Sequence, residues 1–175
     1  PICYENLLIF AKLYDVPAAE RGERIADSLK LMDLEAASTR LVREYSGGMI
    51  RRLEIAQAML HRPRVLFLDE PTIGLDPIAR ASVWSRLKEL RAQFGTTIFL
   101  TTHDMEEADG LCDQIAIMAK GALAVCGPPQ DLKASVGKPE ASMDDVFVRY
   151  AGSALDSGGN YRDVSRTRRT ARRLG

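Results

Sequence analysis

Apolar residues recur at two different periods along the chain, and the changes of period mark its elements. Between residues 5 and 33 the spacing is helical, with Ile25, Leu29 and Met32 on one face, and Pro17 divides the stretch into two helices. Residues 34–45 hold no clear period and read as a loop. A third helix is predicted from about Gly47 to His61, stacking Met49, Leu53, Ala56 and Leu60. The pattern then gives way to short continuous apolar runs. RVLFLDE and TTIFLTTH each suit a strand buried on both faces. Residues 77–94 between them are helical, and Pro77 fits the first helical turn. DMEEADGLCD follows as a short helix with acids at its N-terminal end. QIAIMAKGALAVCG reads as a hairpin turning at Lys120-Gly121, and weaker helices are expected near 129–135 and 142–150. Helices alternating with buried strands predict an α/β fold around a parallel sheet.

Composition narrows the class only a little. A chain of 175 residues can bury one core but not two full ones, and 46% apolar with 27% charged residues is ordinary for a globular protein. Zero formal net charge gives no global field toward nucleic acid, so no nucleic-acid partner is expected. The charge is uneven, however. Residues 153–175 carry six arginines against Asp156 and Asp163, a net +4, so the preceding residues carry −4. That Ser-, Gly- and Arg-rich tail is expected to be disordered. Its arginines suit anionic lipid heads or an acidic partner, or simply a solvated end. Cys3, Cys112 and Cys126 show neither disulfide nor zinc spacing, which fits a reducing cytosol. No run approaches the ~20 apolar residues of a membrane span. The first residue is Pro1 rather than methionine, which implies a processed or non-native start.

Candidate chemistry sits at the ends of the predicted elements. In EYSGGM, Ser46 stands at an N-cap, Gly47 and Gly48 allow close backbone approach, and the helix dipole favours an anion. A glycine turn before an ordinary helix uses the same residues. In VLFLDEP four apolar residues deliver Asp69 and Glu70 to the C-terminal end of a strand, the edge where open α/β sheets bind ligands. Asp69 is suited to a magnesium ion, directly or through water, and Glu70 to activating a water for attack on a γ-phosphate. Two solvated acids at a strand end are the plainer reading. GLDP places Asp76 in the turn to the next helix, and TTHD places His103 at the end of the following strand, on the same edge as Glu70.

Taken in this order, the four stretches resemble the ATP-binding-cassette (ABC) ATPases. YSGGM is similar to the signature motif, RVLFLDEP to the Walker B strand, GLDP to the D-loop and TTH to the switch histidine. The resemblance covers roughly residues 2–151, and within the family it points to ABC-2 type drug and polysaccharide exporters, MDDVFVRYAG included. It implies a RecA-like parallel sheet core, incomplete here, with an inserted helical signature subdomain. The implied division is residues 1–62 for the helical and signature part, 63–152 for the core from Walker B onward, and 153–175 for the basic tail.

In these ATPases two domains pair head to tail around ATP. The resemblance therefore implies that Ser46, Gly47 and Gly48 serve a nucleotide held by a partner domain. Asp69 and Glu70 would serve this chain's own nucleotide, Asp69 through magnesium. His103 would contact its γ-phosphate, and Asp76 would communicate across the interface. The expected cofactors are ATP and Mg2+; the expected partners are a second ABC ATPase domain and an integral-membrane permease. The chain would then lie in the cytoplasm on the inner face of the plasma membrane.

A phosphate loop, G-x-x-x-x-G-K-[ST], is expected in this family and is not found in these residues. The one Gly-Lys, Gly137-Lys138, has Leu132 and Pro139 in place of the flanking glycine and hydroxyl residue. The Q-loop glutamine and the adenine-stacking aromatic would also precede Pro1, so this portion alone is expected to be inactive. Met49 and Tyr45 stand where glutamine and leucine are commonest in the signature, as is usual in ABC-2 exporters. The expected function is the C-terminal part of an ABC-2 exporter's ATP-hydrolysing subunit. The alternative is a non-catalytic partner that donates its signature to a complete ATPase. A chromosome-maintenance ATPase would carry long heptads before the signature, which Pro17 interrupts here.

Overall fold

The computed structural model describes residues 1–152, so the expected tail at 153–175 lies outside the described residues. The chain divides into two compact units, Pro1–His103 and Asp104–Gly175.

In the first unit, α1 (Cys3–Leu13) and α2 (Arg21–Leu31) form the expected pair of helices. Glu5 opens α1 by accepting a hydrogen bond from the Ile2 amide at 3.0 Å. Between the helices Asp15 takes a positive φ of 54° and Val16 is buried. Residues expected to be loop contain two 3-10 turns, Glu35–Ala37 and Val42–Glu44, and an antiparallel bridge from Leu41 to Ile2. Helix α3 (Gly47–Met59) buries Leu53, Ile55, Ala56 and Met59, more of its circumference than the one predicted stripe. It packs on α1, α2 and α4 (Pro77–Phe94), where Val83, Leu87 and Leu90 complete the core. Two arginines bind its neighbours. Arg52 of α3 donates to the Met32 carbonyl at 3.1 Å, and Arg24 of α2 donates to the Leu60 carbonyl at 3.1 Å.

Strands β1 (Val65–Asp69) and β2 (Thr97–Thr101) pair in parallel, with Phe67 opposite Phe99 and Asp69 opposite Thr101. The expectation that both strands are buried on both faces is not met. Leu66 is buried, whereas Val65, Phe67 and Phe99 on the opposite face are 45%, 72% and 58% exposed. The reason is that, among the described residues, this sheet has two strands and cover on one face.

The second unit is built on an antiparallel hairpin of β3 (Ile115–Ala119) and β4 (Ala122–Gly127). Its two-residue turn is the expected Lys120-Gly121, with φ of 49° and 77°, the doubly positive geometry that matches strand twist. Helices α5 (Met105–Leu111), α6 (Pro129–Ser135) and α7 (Met143–Phe147) follow the predicted positions, and α7 runs on into a π-helical turn, Val148–Gly152. Ala108, Ile115, Ile117, Leu132, Met143, Val146 and Ala151 form this unit's core.

Candidate active site

The C-terminal edge of the β1–β2 pair collects the predicted acids and the histidine. Asp69 ends β1, and its carboxylate accepts a hydrogen bond from the Thr101 hydroxyl at the end of β2. Glu70 leaves the strand in the left-handed region, at φ 48°. That conformation is unfavourable for a residue with a Cβ and persists only where its surroundings enforce it. Here they do so on both sides of the residue. The Glu70 amide donates to the Thr101 carbonyl at 3.0 Å, and its carbonyl accepts from Ile73 N at 3.2 Å and Arg51 Nη2 at 3.0 Å. The side chain is paired as well. His103 Nδ1 lies 2.8 Å from the Glu70 carboxylate, with the imidazole 71% and the carboxylate side chain 31% exposed.

The second group of predicted residues lies where α3 and α4 begin. Ser46 caps α3 by accepting from the Met49 amide at 3.3 Å. Asp76 caps α4 by accepting from the Ile78 and Ala79 amides at 3.0 and 2.9 Å. Gly47 and Gly48 form the first turn of α3. A Cβ on Gly47 would meet Leu75 at an ordinary 3.6 Å, but one on Gly48 would stand 2.9 Å from the Ala79 Cβ. Gly48 therefore has a packing role besides leaving backbone open: it brings the start of α3 against the start of α4.

Behind the glycine turn, Tyr45 donates its hydroxyl to the Ala37 carbonyl at 2.7 Å. Burial, then the neighbouring Cys3 thiol, pushes the phenol well above its usual range; burial likewise raises the thiol. Gly137-Lys138 has a different use altogether. Gly137 takes φ 73° just after α6, and Lys138 Nζ donates to Asp145 at 2.8 Å in the second unit.

Two residues at this site were not identified from the sequence. Thr101 precedes the histidine by two positions in a strand, and only the register opposite Asp69 reveals its hydroxyl as a partner. Arg51 lies 19 residues before Glu70, and no local pattern links them.

Asp69 and Thr101 present one carboxylate and one hydroxyl. Among the described residues no group of three or more His, Cys, Asp or Glu side chains could form a metal cage. Such a donor set fits magnesium, which takes few protein ligands and fills its shell with water and phosphate oxygens. Among the described residues no helix is long and apolar enough to cross a membrane.

Parallel strands with helices packed beside them form part of an α/β domain of the RecA-like kind. Residues 2–73 match the ABC transporter family. The chain is 42% identical over 148 residues to the daunorubicin resistance ATP-binding protein DrrA3 of Streptomyces coeruleorubidus, covering 85% of this chain and 46% of that protein. It is 45% identical over 128 residues to the Nod factor export ATP-binding protein I of Ralstonia nicotianae, covering 73% and 40%. Among solved structures, cbiO1 of Clostridium perfringens, part of the ABC transporter complex cbiONQ, superimposes with a TM-score of 0.71 at 30% identity, over 76% of this chain and 53% of that one. An ATP-binding subunit of an ABC transporter gives 0.70 at 29%, over 86% and 62%. The chain belongs to the ABC transporter ATP-binding proteins. It spans less than half the length of these curated relatives.

Proposed function

We propose that this chain forms part of the ATPase subunit of an ABC-2 type exporter, which hydrolyses ATP at a head-to-tail dimer interface and drives a separate membrane permease. The observation that carries the reading is the Glu70–His103 pair, 2.8 Å apart at the strand edge beside Asp69. The drug-resistance and Nod-factor-export relatives support the exporter class.

In this reading Glu70 orients a water and takes its proton as the water oxygen bonds to the γ-phosphorus and the bond to the leaving ADP oxygen breaks. His103 contacts the γ-phosphate. Asp69, steadied by Thr101, would hold magnesium, directly or through water, and would thereby supply charge neutralisation to the phosphates. Ser46, Gly47 and Gly48 present the dipole end of α3 to a nucleotide held by the second ATPase domain. Asp76 lies at the same interface and communicates across it. Residues 1–62 act as the signature subdomain, and the subunit works at the cytoplasmic face of the plasma membrane. A chain that only donated its signature would have no use for the Glu70–His103 pair, which favours the hydrolytic reading.

The test begins with the DNA upstream of the Pro1 codon. An in-frame phosphate-loop motif there supports the proposal, whereas a start codon directly before Pro1 favours the signature-donating alternative. In the subunit expressed from its complete reading frame, Glu70→Gln is expected to keep ATP affinity and lower turnover by about 10²-fold or more. Turnover like wild type would remove Glu70 as the base.

A further inference from the structure

We infer that Arg51 is a positioning residue that couples the signature helix to the general base, an inference that rests on the hydrolytic role proposed for Glu70. Arg51 lies on α3, five positions after the Ser46 cap. One arm of its guanidinium, Nη1, is held by Glu54 of the same helix at 2.7 Å. The other, Nη2, donates at 3.0 Å to the main-chain carbonyl of Glu70. The side chain is only 27% exposed, so water competes weakly for these bonds.

The choice of acceptor gives this contact its consequence. Glu70 is a non-glycine residue at positive φ, and its carboxylate direction follows from that backbone setting. The amide side is fixed from β2 by Thr101. The carbonyl side is fixed by Ile73 N, one turn onward, and by Arg51. Arg51 is thus the side chain that ties this peptide to α3. Its fork makes the link directional, because one guanidinium satisfies Glu54 and Glu70 together in a fixed plane. The N-terminal end of α3 faces the second domain's nucleotide in the proposed assembly, while its flank holds the base that serves this chain's own. A small shift of α3 on engaging that nucleotide is therefore transmitted to the Glu70 peptide, and a base displaced by a fraction of an ångström loses its line to the attacking water.

The experiment uses the subunit expressed from its complete reading frame and measures kcat and KM for MgATP. Arg51→Met keeps the stem and removes the donors. It is expected to lower kcat about tenfold while leaving KM within about twofold, since a positioning loss is felt in the reaction step. Arg51→Lys, which can reach one acceptor but not both, is expected to recover part of the loss. In a Glu70→Gln background, adding Arg51→Met is expected to change residual turnover by less than about twofold, because its effect passes through the residue already disabled. If Arg51→Met does not fold, Arg51→Lys carries the same comparison in both backgrounds. Wild-type kcat in the Arg51 variants, alongside a disabled Glu70→Gln, overturns the coupling and leaves the base role standing. An equal further loss in the Glu70→Gln background also overturns it, by showing that Arg51 acts independently of Glu70. Wild-type turnover by Glu70→Gln itself overturns both.

Discussion

Gly48 and Ala79 leave no room for a methyl group between them: a Cβ on the glycine would stand 2.9 Å from the alanine Cβ. The two residues belong to the first turns of α3 and α4, so their contact sets how closely the serine-capped and aspartate-capped helix ends approach. Neither atom is the flexible end of a side chain, and an added methyl must push the helices apart. Gly48→Ala is expected to cost about 1–3 kcal/mol, the usual range for overpacking, despite alanine's better helix propensity. Pairing it with Ala79→Gly reopens the space, and the double variant is expected to recover most of the loss apart from the entropy of the new glycine. Denaturant midpoints of the four proteins check this; additive losses would show that the two sites do not meet.

Asp76 combines a structural duty with a proposed interface role, and two substitutions separate them. Its carboxylate accepts from two amides at the start of α4. Asp76→Ala is expected to lower stability by about 1 kcal/mol, as cap removal does. Asp76→Asn keeps an oxygen at the cap and is expected to stay within a few tenths of wild type. Any ATPase defect of Asp76→Asn then reports on the carboxylate's charge at the interface rather than on folding. Equal stability losses in the two variants would show that the charge, not the cap, stabilises the helix.

The extent of α4 was legible from its helical pattern and from Pro77 at the first turn. The structure adds what brackets it, the Asp76 cap and Gly95 at φ 62°. Asp69, Glu70 and His103 were legible because a strand's end places its last residues at one edge whatever surrounds it. The burial of β1 and β2 was not. An apolar run such as VLFL records preference, while the layers lying on each face depend on other segments. Arg51 and Thr101 escaped for a related reason, since their partners lie 19 and 32 residues away and only packing brings them together. Gly48 was legible as a special position, but the Ala79 contact behind it was not.

The open face of the parallel pair predicts how this chain behaves by itself. Phe67 and Phe99 sit opposite each other with ring centroids 5.6 Å apart, and both are largely exposed. All-parallel sheets are ordinarily covered on both faces, and a bare apolar face beside unpaired strand edges invites association. The 175-residue chain expressed alone is expected to bind a hydrophobic dye and to self-associate at micromolar concentration. Replacing both rings with threonine keeps β propensity and removes the apolar surface. It is expected to reduce dye binding and association together, with little change in the denaturant midpoint. A wild-type chain that stays monomeric and dye-free at such concentrations would mean that the face is covered in solution.

In the second unit, Asp145 makes stability depend on acid in a defined window. Its carboxylate accepts from Lys138 Nζ at 2.8 Å and from the Ser142 amide and hydroxyl, both at 2.9 Å, while the Ser142 hydroxyl accepts from the Asp145 amide at 3.2 Å. This reciprocal pair is a capping box at the start of α7. The lysine first, then the serine bonds, pull the carboxyl from its ordinary 3.8 down to about 2. Because the folded value lies below the unfolded one, the contribution is complete above about pH 4 and is lost as the pH falls from about 4 to about 2. Asp145→Asn keeps the size of the side chain but cannot titrate. The stability difference between wild type and Asp145→Asn is therefore expected to be constant from neutral pH to about 5 and to shrink steadily toward pH 2. Denaturant unfolding at stepped pH, followed by a probe in α7, measures it. A difference that does not change over that range would mean the carboxylate gains nothing from Lys138 and Ser142 on folding.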